Sequence, residues 1–167
     1  MDASNFAPSA ADDVLQIGGL PLHPLIVHAV VVLGPLAALT GLAYAFVPKW
    51  RWLLRWPLVV LAVVVAVTAL TAVAAGEDLL ASRPELAPIV EDHQEAGEML
   101  RNVALGYAVL SALAAWALGG VSALASGKGA RETRFGIPVA VLLAVGAVAL
   151  LVTAYLAGDS GARAVWG

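Results

Sequence analysis

A chain of 167 residues, 61% hydrophobic and only 13% charged, is long enough for one domain but lacks the charge of a soluble one, where about a quarter of residues are ionic. Its mean hydropathy of +0.89 points the same way. The formal charge of −3 removes nucleic acid as a plausible partner, and the absence of cysteine excludes disulfides, iron–sulfur clusters, thiolate metal sites and thiol nucleophiles.

Residues 1–19 are small and polar, carry Asp2, Asp12 and Asp13, and are expected to form an exposed tail. No Lys or Arg precedes Lys49, so the basic n-region of a secretory signal is missing and the first apolar run is expected to enter the membrane itself. Four such runs follow, predicting helices over about 24–47, 55–76, 97–126 and 136–157 within a domain spanning 20–167. Each holds about the 20 residues needed to cross a hydrocarbon core of about 30 Å. None has a charge in its middle, and none shows the polar face of a soluble amphipathic helix. The expected architecture is therefore all-α, an integral membrane four-helix bundle in contact with the lipid bilayer.

The junctions fit that reading. Trp50, Trp52 and Trp56 crowd the first connection, as aromatic anchors do at a membrane interface. Pro24, Pro57 and Pro138 stand where a first-turn proline is tolerated. Along the third run, Gly97, Leu100, Ala104, Ala108, Ser111 and Ala115 form a stripe of mostly small residues. Such a stripe lets helix backbones approach in lipid or leaves a groove for a flat ligand.

Orientation follows from the cations. Lys49, Arg51 and Arg55 lie in the first connection and Lys128, Arg131 and Arg134 in the third, against Arg83, Arg101 and Arg163 on the other side. The positive-inside rule then places both termini and the acidic central stretch outside, N-out and C-out. In a bacterium this is the cell (inner) membrane.

Histidine carries the chemistry. His23 and His28 bracket the start of the first helix in Leu22-His23-Pro24-Leu25-Ile26-Val27-His28, and His93 stands in the acidic stretch before the third. Ionisable groups near a span are costly and point to function. Neutral imidazole ligates haem iron and transition-metal ions, so two facing histidines make a cofactor hypothesis. His28 with His93 is one pairing. Levelled by a rise of about 1.5 Å per residue, however, His93 stands higher than His28, and His23 matches it better. An alternative metal site would combine the three histidines with Glu77 and Asp78, with Asp159 also at that end. The alternative without chemistry is that the histidines only bond across the bundle or to solvent. Gly158-Asp159-Ser160-Gly161 is expected to be turn material, and Thr40, Thr68, Thr71 and Thr153 can bond to their own helices.

The segment Gly18-Gly19-Leu20-Pro21-Leu22-His23-Pro24-Leu25-Ile26-Val27-His28, the central His93 and the ending Gly158 to Trp166 resemble a bacterial family termed domain of unknown function 2231. The resemblance covers about residues 18–166 and picks out the same three histidines. It implies a four-helix membrane protein. In some members the domain is joined to a Rieske-type domain, which implies service near a respiratory chain. The reading reached is a small b-type haem or metal-binding protein that assists electron transfer, with His28 and His93 as the ligands and His23 as a substitute or as a partner to a propionate or to a ligand. A respiratory-chain protein, another membrane protein or a second copy is the expected partner. The alternative is a cofactor-free structural accessory subunit. Neither makes it a stand-alone catalyst.

Overall fold

A computed structural model of the protein describes residues 16–17, 20–118 and 135–167. Most of the polar tail, the end of the third apolar run and the third connection, with its Gly127-Lys128-Gly129, therefore lie outside the described residues. Gln16–Ile17 (β1) and Leu20–Pro21 (β2) pair as a two-residue antiparallel ladder just before the first helix. Everything larger is helical: α1 is Leu22–Phe46, α2 Arg51–Ser82, α3 Ala87–Leu118 and α4 Gly136–Trp166. All four are long and apolar enough to cross a membrane.

Proline sets the joints. Pro48 and Pro84 each open a single 3₁₀ turn, Pro48–Trp50 between α1 and α2 and Pro84–Leu86 between α2 and α3. Proline suits the first position of a helical turn and disfavours α-helix at the residue before it, and at Val47 and Arg83 the α-helices have stopped. Arg51 closes the first joint: its Nε donates to the Tyr44 carbonyl at 2.9 Å and its Nη2 to that of Ala45 at 3.0 Å. It thereby satisfies carbonyls at the C-terminus of α1, where a cation is also favoured by the helix dipole.

The helices outrun the apolar segments that predicted them. α2 continues past Gly76 through Glu77 and Asp78 to Ser82, because nothing before Pro84 breaks it. α3 begins at Ala87, and its first three turns are amphipathic, with Val90, His93, Ala96 and Gly97 partly buried and Glu91, Asp92, Gln94 and Glu95 exposed. α4 runs through Gly158 to Trp166. The turn expected at Gly158–Gly161 is therefore helix, spanned by an Asp159–Arg163 ion pair of 2.9 Å. Apolar length marks only the part of a helix that sits in hydrocarbon. At about 1.5 Å per residue the 32 residues of α2 measure about 48 Å, well beyond the core thickness of about 30 Å.

α1 packs on α2 and α4, and α3 on α2 and α4, giving a closed up-and-down ring. The inside is small and the outside large. Ala37, Ala38, Ala62, Ala69, Ala104, Ala114 and Ala147 are buried, while Val32, Leu39, Val60, Val109 and Trp116 face outward. This suits lipid, where apolar surface gains nothing by leaving the tails and helices associate through close backbone packing. The threonines bond within their own helices, Thr40 to Leu36, Thr68 to Val64, Thr71 to Val67 and Thr153 to Ala149.

The two hairpins share one register. Buried Val30, Gly34, Ala37 and Tyr44 of α1 correspond to buried Leu100, Ala104, Tyr107 and Ala114 of α3, each seventy positions on. In α2 and α4 the offset is eighty-five, and there the residues themselves repeat: Leu58, Ala62, Thr68, Ala69, Ala72 and Gly76 match Leu143, Ala147, Thr153, Ala154, Ala157 and Gly161. The bundle is a helical hairpin used twice.

Candidate functional site

At the end where α1 and α3 begin and α2 and α4 finish, the helices part around an apolar cavity of about 320 Å³. Every helix contributes to it. His23 and Val27 come from α1, Gly76 from α2, His93 and Gly97 from α3, and Gly161 from α4.

The two imidazoles meet there edge to face, ring centroids 6.0 Å apart and planes at 82°. Each is set by its own hairpin in the same way. His23 Nδ1 lies 2.8 Å from the Ala72 carbonyl, and His93 Nδ1 lies 3.1 Å from the Ala157 carbonyl and 3.3 Å from Ser160 Oγ. A carbonyl oxygen only accepts, so both Nδ1 atoms carry the proton. In neutral imidazole this leaves the lone pair on Nε2, the arrangement in which histidine ligates metals.

Glycine makes the space. A β-carbon on Gly76 would stand 3.0 Å from His23 Cε1, and one on Gly161 would stand 2.9 Å from His93 Cε1. The carbonyl acceptors sit one helical turn before those glycines, and the offsets are those of the repeat: His23 to His93 by seventy, Ala72 to Ala157 and Gly76 to Gly161 by eighty-five. The site is two copies of one half-site. Sequence reasoning did not single out Ala72, Ala157, Gly76 or Gly161. The signal that finds them is the α2/α4 repeat of identical residues.

His28 is not brought to this cavity. It is exposed on α1, and its Nδ1 lies 2.5 Å from the Pro24 carbonyl one turn back. The five-residue step from His23 turns it away, by about 140° around the helix. Glu77 borders the cavity from α2. Among the described residues no three His, Asp or Glu side chains gather as a metal-ion site would require. Glu77 and Asp78 therefore do not complete a three-ligand set with the histidines.

A second polar feature lies deeper in the bundle. Tyr107 Oη donates to the Ala37 carbonyl at 2.7 Å, and its phenol occupies the notch that Gly41 leaves on α1. Tyr44 Oη is buried without a hydrogen-bond partner among the described residues.

The family model described as "Predicted membrane protein (DUF2231)" matches residues 19–167. No curated protein and no solved structure matches. The chain belongs to that family of membrane proteins.

Proposed function

We propose that this member of the DUF2231 family is a b-type haem protein of a bacterial cell membrane, carrying single electrons beside a respiratory chain, with His23 and His93 as the residues that would hold the haem. One observation carries the reading: two imidazoles from different hairpins face each other at 6.0 Å, each with its Nδ1–H held by a backbone carbonyl. A two-histidine donor set suits iron whose other four positions are filled by a macrocycle. A bare ion normally takes three or four protein ligands.

The surroundings support the same group. The walls are apolar, and glycines flank both rings. At about 320 Å³ the space is at the small end of ligand pockets, which run about 300–1,000 Å³. When bound, haem supplies a reversible one-electron couple. The chain's own part would be to fix both tautomers through Ala72 and Ala157, to keep water from the cavity with its apolar walls, and to set the ring spacing. The positive-inside argument puts this end, where α1 begins and α4 finishes, on the non-cytoplasmic face.

A cofactor-free accessory subunit is the second reading, favoured by one observation. Both imidazoles already fill glycine notches and bond to carbonyls, which ties α1 to α2 and α3 to α4 without any ligand.

An optical spectrum of detergent-purified protein, oxidised and then dithionite-reduced, with metal analysis of the same sample, separates the two. A sharp reduced α-band with one iron per chain is expected. Stoichiometric metal without that band moves the site to a bare ion. A featureless, metal-free sample from cells supplied with haem leaves the accessory reading standing.

A further inference from the structure

The opposite end of the bundle carries a second site, independent of the histidines. Three tryptophans crowd the α1–α2 joint, and all are substantially exposed: Trp50 by 49%, Trp52 by 52% and Trp56 by 59%. Three cations share the same eight residues and divide into two kinds. Arg51 turns inward and is committed to the last carbonyls of α1. Lys49 and Arg55 instead rest on tryptophan rings, Lys49 Nζ 5.9 Å from the centroid of Trp50 and Arg55 Cζ 5.7 Å from that of Trp56.

Among the described residues neither of these two is paired with a carboxylate; an ion pair such as Asp159–Arg163 lies in α4 at the far end. A cation over an aromatic face keeps its donors directed away from the ring and free for an anion. The rings are amphipathic plates that sit at headgroup depth, so the phosphate of a lipid lies at the same level as the two charges.

We infer that Lys49 and Arg55, with Trp50 and Trp56 beneath them, form a site for the phosphate of an anionic phospholipid. Charge complementarity selects the occupant: two cations that no carboxylate among the described residues neutralises favour a lipid with net negative charge over a zwitterion, whose own ammonium is repelled. The tryptophans add a stacking surface for the glycerol backbone and first acyl carbons, which a free phosphate ion does not use. Each such cation near a charged headgroup contributes about a fivefold preference.

The test is native mass spectrometry of the full-length protein released from mixed micelles containing phosphatidylglycerol or phosphatidylcholine. Retention of phosphatidylglycerol over phosphatidylcholine is expected, falling about fivefold for each of Lys49→Gln and Arg55→Gln. The swap Lys49→Arg with Arg55→Lys keeps both charges and is expected to keep the preference, which separates lipid binding from folding. Arg163→Gln, at the far end, is expected to change nothing. Equal retention of the two lipids overturns the site, as does a preference that survives loss of both charges. Displacement of the lipid by millimolar inorganic phosphate assigns the pocket to free phosphate and overturns the lipid assignment.

Discussion

His23 and His93, seventy residues apart in the chain, meet edge to face with ring centroids 6.0 Å apart, each hydrogen-bonded to its own hairpin's second helix. Neither of these hydrogen bonds crosses from one hairpin to the other. The separation of the rings is therefore set by how the two hairpins dock.

If these rings are the ligands, His23→Ala and His93→Ala each abolish cofactor retention while the protein still inserts. His28→Ala retains it, because His28 is exposed and outside the cavity. Cofactor per chain, measured on purified variants, decides this. Equal loss in all three variants would remove the cavity from consideration.

Gly161→Ala puts a methyl 2.9 Å from His93 Cε1, and Gly76→Ala one 3.0 Å from His23 Cε1. Each ring must shift from its carbonyl, at a cost of about 1–3 kcal/mol. Lower thermal midpoints and reduced cofactor content are the expected readouts. Gly106→Ala and Gly158→Ala meet open space and serve as helical controls. They are expected to be neutral or slightly stabilising, since alanine favours helix.

Gly41→Ala collides with the Tyr107 hydroxyl. Tyr107→Phe removes that hydroxyl and its bond to Ala37, costing about 1 kcal/mol. Because both changes act on one contact, the double variant is expected to be more stable than the sum of the two losses predicts. Denaturation in a constant detergent background measures it. Simple additivity would mean the contact is not formed.

The chain contains no cysteine, so single cysteines report topology cleanly. With the third connection cytoplasmic, Gly129→Cys is protected from an impermeant thiol reagent in intact cells, and Ala87→Cys, exposed at the start of α3, is labelled. The reverse pattern would invert the orientation and move the histidine site to the cytoplasmic face.

The spans were legible because burial in lipid leaves a plain mark: long apolar runs, cations beside them, and proline at the joints. The helix extensions were not, because Glu91, Asp92 and Glu95 make the first turns of α3 too polar for a hydropathy reading although the helix runs through them without a break. The same blindness made Gly158–Gly161 look like a turn. Two glycines three apart normally signal one, yet here the second is the notch for His93. All three histidines were visible, but in the sequence His28 with His93 stands as the first pair although rise per residue levels His23 better with His93, and the structure brings His23 to His93 instead. The carbonyl and glycine partners were hidden, since Ala72 and Ala157 act through their backbones and an alanine in an apolar helix carries no chemical label. Only the internal repeat exposes them.

That repeat also gives the site a mechanical character. Each half carries one complete grip, consisting of imidazole, carbonyl anchor and glycine notch, and the cavity is the seam between the halves. A ligand held by both rings is a rivet through that seam. It would lock the docking of one hairpin on the other, and its loss would leave two intact hairpins joined by small-residue packing and by the Tyr107–Ala37 hydrogen bond. Were the site filled as proposed, its occupancy and the stiffness of the seam between the hairpins would change together.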